Sequence, residues 1–127
     1  MKTCFVDVDE KWGIILVWDF DFMDSDELAA MMDSFGLDDR DIRKSIRILF
    51  EGNSAMTVSR SGIRMSIVFI GPVSSNSQFW NSLSHELNHV NNAIIDYYNE
   101  PYDSEPTAYL NGYLFQRVVE EIAPPCY

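Results

Sequence analysis

Cysteine and histidine are each present only twice in this chain of 127 residues, and both scarcities narrow the chemistry open to it. Cys4 and Cys126 stand near opposite ends. No closely spaced pair can therefore form a zinc knuckle or a redox dithiol, and two free thiols are the expected state in a reducing compartment. Basic residues are also few, 9 against 20 acidic ones, for a net charge of −11. Such a surface repels phosphate backbones and anionic lipid, which argues against nucleic acid and membrane surfaces as partners. No apolar run approaches the roughly 20 residues that a bilayer span needs. The opening MKTCFVDVDEKW carries Asp7, Asp9 and Glu10 where a secretory signal would be uninterrupted and apolar, so the expected location is the cytoplasm. Repeats, low-complexity tracts and a glycine-rich phosphate loop are lacking too.

What is there suffices for one compact unit. With 46% apolar and 13% aromatic residues the chain can bury a real core, and its length is that of a single domain covering residues 1–127. Cys4–Val8 and Gly13–Trp18 are β-rich and flank a charged turn, which predicts an opening hairpin. Asp24-Ser25-Asp26-Glu27 has capping-box spacing, predicting a short helix that stops at Gly36. A second helix is expected from Asp39 to about Glu51, with Ile42, Ile46, Leu49 and Phe50 on one side and Arg40, Arg43, Lys44 and Arg47 on the other. That basic stripe reads first as a solvated face and second as a site for an acidic partner. Ala55–Ser59 and Arg64–Ile70 read as strands, the latter central because Ile67, Val68, Phe69 and Ile70 run without a polar break. Helices from about Ser77 to Tyr98 and from Ser104 to Ile122 complete an α+β domain.

Both histidines fall in His85-Glu86-Leu87-Asn88-His89. Helical residues four apart lie one above the other, so both imidazoles can reach one ion at about 2.0–2.1 Å. The intervening glutamate is placed to act on a water at that ion, as a general base toward a carbonyl. Trp80, Leu83, Leu87, Val90, Ile94 and Tyr98 form the apolar stripe of this helix, and at about 100° per residue both histidines point away from it. They share their side with Gln78, Asn81, Asn92 and Asp96, as a cleft-lining pair would.

A catalytic zinc takes a third protein ligand. With no histidine left, that ligand is expected to be a carboxylate. Asp96 lies about 10 Å further along the helix axis, too far to share the ion. Glu100, Asp103 and Glu105 remain, and Glu105 is best placed, since Ser104 can cap the next helix and Pro106 suits its first turn. Tyr109, one turn beyond Glu105, is a candidate to hydrogen-bond an oxyanion or to orient a ligand, against the plainer reading of a packing tyrosine.

His85-Glu86-Leu87-Asn88-His89 followed by Glu105-Pro106-Thr107-Ala108-Tyr109-Leu110-Asn111-Gly112-Tyr113-Leu114 resembles small zincin-like metallopeptidases, assigned by motif, of phages, prophages and mobile elements of gut bacteria. Gly52-Asn53-Ser54, Ser66-Ile67-Val68-Phe69-Ile70 and Ser74-Ser75 extend the resemblance to roughly residues 37–122. It implies a small zincin-like domain, a short antiparallel or mixed sheet packed against the His85–His89 helix and a following helix that bears Glu105. It also implies Zn2+ held by His85, His89 and Glu105, catalysis by Glu86, a cleft lined by the strand near Ile67–Ile70, and a peptide or protein substrate. The alternative expectation is a phage or mobile-element interaction module whose zinc is structural or vestigial.

Overall fold

The computed structural model describes residues 1–100 and 105–122. Strands β1 (Lys2–Val8) and β2 (Trp12–Trp18) form an antiparallel hairpin, followed by helices α1 (Ser25–Ser34) and α2 (Asp39–Leu49). A second hairpin, β3 (Ala55–Arg60) and β4 (Met65–Ile70), precedes the long helix α3 (Asn76–Tyr98) and helix α4 (Glu105–Ile122). The fold is thus α+β with a four-stranded mixed sheet of order β1-β2-β4-β3. The hairpins meet through a parallel pair, with Ile15 opposite Ile67 and Leu16 opposite Val68.

Period-2 alternation along the strands divides the core between two faces. Val6, Val8, Trp12, Ile14, Leu16, Val68 and Ile70 pack on one face against Leu83, Leu87, Val90 and Ile94 of α3 and Leu114 and Val118 of α4. Val17, Ile67 and Phe69 pack on the other against Leu28, Met32, Ile42 and Leu49 of α1 and α2. The sheet is therefore covered on both faces, which is why β4 reads as a continuous apolar run. Burying that many aliphatic side chains at roughly 1.5–3 kcal/mol each is the main term holding the layers together.

Local signals set the ends of the elements. Asp38 caps α2 by accepting from the Asp41 N–H at 2.8 Å, and Ser75 caps α3 by accepting from the Gln78 N–H at 3.1 Å. Asn99 stops α3 in the left-handed conformation at φ 57, with the Glu100 N–H returning to the Ile95 carbonyl at 2.9 Å. The expected Asp24–Glu27 capping box is replaced. Asp24 makes no side-chain cap for α1. It pairs instead with Asp21 around a 3-10 turn at Phe22–Asp24, each carboxylate accepting a backbone N–H from the other end of that turn. At Gly71 the chain passes so close to two carbonyls that an added Cβ would lie 2.5 Å from the Leu49 oxygen and 2.8 Å from that of Ser54. This contact fixes the end of β4 beside the end of α2. Among the described residues, no helix is long and apolar enough to cross a membrane.

Candidate metal centre

Helix α3 carries the pair of histidines on its surface and the glutamate between them inward. The exposed residues are His85 and His89, whereas Glu86 is only 5% exposed. The division follows from the helical wheel, because Leu83, Leu87, Val90 and Ile94 must face the sheet and α4.

The His85 and His89 Nε2 atoms lie 3.3 Å apart. Two imidazole nitrogens bound tetrahedrally to one zinc at about 2.0–2.1 Å stand about 3.3–3.4 Å from each other, so the separation of the two nitrogens matches that of a shared ion. Glu86 Oε2 is 3.8 Å from His85 Nε2. The ligand atoms of His85, Glu86 and His89 all lie within 4.8 Å of one another, the one group of this kind among the described residues.

Glu86 is held from beneath by the sheet. Thr57 on β3 donates its hydroxyl to Glu86 Oε1 at 2.9 Å and approaches the Glu86 carbonyl at 3.3 Å. Two residues further along β3, Ser59 shares a 2.6 Å hydrogen bond with the buried Ser66 of β4, which also accepts from the Trp12 indole N–H at 3.0 Å. Among the described residues, no lysine or arginine forms an ion pair with Glu86; its only charged-group neighbour is His85. A buried carboxylate without a cation is costly, and one metal ion beside the two imidazoles would supply the missing countercharge.

The remaining candidates are placed elsewhere. Glu105 is the first residue of α4 and is exposed; its carboxylate is not part of the His85–Glu86–His89 group. With Tyr109 it lines a cavity at the far end of α3, to which neither histidine contributes. Tyr109 is 76% exposed and stacks on Tyr113, their planes 14° apart. Glu100 lines the same cavity, and Asp103, Ser104 and Cys126 lie outside the described residues. Cys4 is a free, half-buried thiol, pushed up in pKa by burial and then by the Glu121 carboxylate.

Two parts of the arrangement escape sequence reasoning. The strand near Ile67–Ile70 is central as its apolar run predicts, but, paired on both sides, it offers a cleft no free edge; the edge strand beside α3 is β3. Thr57, 29 residues before Glu86, is the residue that orients the carboxylate. Its only signal in the sequence is a hydroxyl at an inward position of a predicted strand. No family model, curated protein or solved structure matches this chain.

Proposed function

We propose that this protein is a zinc-dependent hydrolase of the zincin kind that acts on a peptide-like carbonyl. The observation carrying the proposal is the buried Glu86 carboxylate, which pairs with no lysine or arginine among the described residues, beside two exposed imidazole nitrogens 3.3 Å apart. In this reading His85 and His89 hold the ion through Nε2. Zinc, when bound, supplies a Lewis acid that polarises a carbonyl and lowers the pKa of a neighbouring water toward about 7. With the ion bound, Glu86 Oε2 would take a proton from the water as its oxygen adds to the carbonyl carbon, with Thr57 holding Oε1, and would return that proton to the amine nitrogen as the carbon–nitrogen bond breaks. The free edge of β3 runs beside this carboxylate and suits an extended peptide, which would pair with the strand through its backbone. Glu105 is the proposed third ligand, a role that requires the start of α4 itself to move toward the histidines, because α3 runs nine residues past His89, about 13 Å.

Elemental analysis of zinc tests the reading, on wild type, His89→Ala, Glu86→Gln and Glu105→Gln, together with turnover of a fluorogenic peptide library. The expected result is one ion per chain, lost in His89→Ala and kept in Glu86→Gln with turnover abolished. Wild type without zinc, or Glu86→Gln with full turnover, overturns it. Zinc retained by Glu105→Gln overturns the third-ligand role alone. The alternative, an interaction module with a structural zinc, draws on the exposed Phe22 and Met23, 72% and 78% accessible. There Glu86→Gln would leave partner binding intact.

A further inference from the structure

The cavity at the far end of α3 has a volume of about 600 Å³, well within the range of pockets that enclose small ligands. Its walls are aromatic and aliphatic: Trp12, Tyr98, Tyr109 and Tyr113 line it with Ile94 and Leu110. Among the described residues its charged lining is lopsided, with the carboxylates of Asp9, Glu100 and Glu105 against the ammonium of Lys11.

Two tyrosine hydroxyls are already committed. Tyr98 donates to the Lys11 carbonyl and Tyr113 to Asp9 Oδ1, each at 2.9 Å. These bonds tie both rings to the turn between β1 and β2 and leave the ring surfaces, rather than the hydroxyls, as what the cavity can offer. The near-parallel Tyr109 and Tyr113 rings have centroids 6.3 Å apart. A further negative contribution comes from the backbone. Helix α3 ends at Tyr98, so the carbonyl end of a 23-residue helix adjoins the cavity. That end carries roughly half a negative charge and favours cations.

We infer that this cavity binds an organic cation, an ammonium or guanidinium head carried on an apolar stem. Aromatic faces attract such a head within about 6 Å of the ring centroid, and the carboxylates and the helix end reinforce the attraction. The aliphatic wall covers the stem. An anion is disfavoured by every one of these groups except Lys11, and a neutral ligand forgoes all of them. The net charge of −11 raises the local concentration of cations around the mouth. Neither His85 nor His89 lines the cavity, and Asp9 and Glu100 remain in its wall even if Glu105 serves the ion, so the inference stands without the metal centre.

The test is titration of the full chain with acetyl-arginine amide, acetyl-lysine amide and, as the neutral isostere, acetyl-citrulline amide. Binding is followed by tyrosine and tryptophan fluorescence and by amide NMR shifts. The expected result is saturable binding of both cations, with citrulline at least tenfold weaker. Tyr109→Ala and Glu100→Gln, both at exposed positions, should each weaken the cations severalfold while the NMR spectrum elsewhere stays native. His89→Ala should bind them as wild type does, which separates this result from the fate of the metal centre. Equal affinity for citrulline, absence of saturation, or indifference to both cavity variants overturns the inference. Loss of binding in His89→Ala overturns it as well, by moving the cation to the histidine site.

Discussion

Replacing Thr57 by valine removes one hydroxyl and keeps the β-branched shape that suits a strand, so its consequence isolates the bond to Glu86. A hydrogen bond to a charged partner contributes roughly 1.5–3 kcal/mol, and here the abandoned oxygen belongs to a carboxylate that the fold has already removed from water. The expected loss is about 2 kcal/mol, which for a domain of this size lowers the melting midpoint by roughly 6–10 °C. The assay is urea unfolding of metal-stripped protein, in which the midpoint falls and the slope with denaturant stays constant. Repeating the substitution in a Glu86→Gln background removes the charge but keeps a carbonyl acceptor, so the cost should drop to about 1 kcal/mol. The difference, about 1 kcal/mol of coupling, measures the charge-assisted part of the bond. Thr57→Ser should restore most of the loss. A cost below about 0.5 kcal/mol, or the same cost in both backgrounds, would refute the claim that Thr57 positions the carboxylate.

Gly71→Ala forces a methyl group onto the backbone carbonyls of Leu49 and Ser54, neither of which can rotate aside. A loss of about 3 kcal/mol is expected, at the upper end of overpacking costs, and unchanged denaturation would show that the approach is relaxed in solution. Tyr113 has its phenol pKa raised above 10.0, first by its hydrogen bond to Asp9 and then by burial and the Asp9 charge. A raised folded value stabilises the neutral form, so the contribution is complete below pH 10 and fades as pH climbs through the raised value. Wild type should therefore hold a constant advantage over Tyr113→Phe up to about pH 10 and lose it above. A gap that persists to the highest measurable pH would contradict the tether.

Most elements were legible because their patterns are local. β-rich runs joined by short turns marked both hairpins, and the unbroken Ile67–Ile70 run marked β4 as central, which its pairing with β2 and β3 explains. The outward histidines followed from the spacing of Leu83, Leu87, Val90 and Ile94 on α3. What was not legible depends on contacts between distant segments. The parallel docking of β2 on β4 leaves no trace in either strand, and with it went the identity of the free edge. The cap at α1 was misplaced because Asp21 and Asp24 compete for the same orphan amides as Asp24 and Glu27. The position of Glu105 follows from length. Helix α3 continues nine residues past His89, about 13 Å, and so carries the start of α4 to the end remote from the histidines.

The parallel pairing of β2 with β4 also bears on how the site comes into being. Thr57, His85, Glu86 and His89 all lie between residues 55 and 98, in the contiguous run β3–β4–α3. That run cannot keep its own sheet edge dry, because β4 is completed only by β2, with Gly13 opposite Met65. Closing that loop of some 50 residues costs about 3.5 kcal/mol of chain entropy before any contact offsets it. Assembly of the histidine cluster is therefore conditional on a hairpin that contributes none of its polar atoms. A nick or insertion in the segment between α2 and β3 should leave every site residue in place on the chain and yet slow the appearance of the site during refolding.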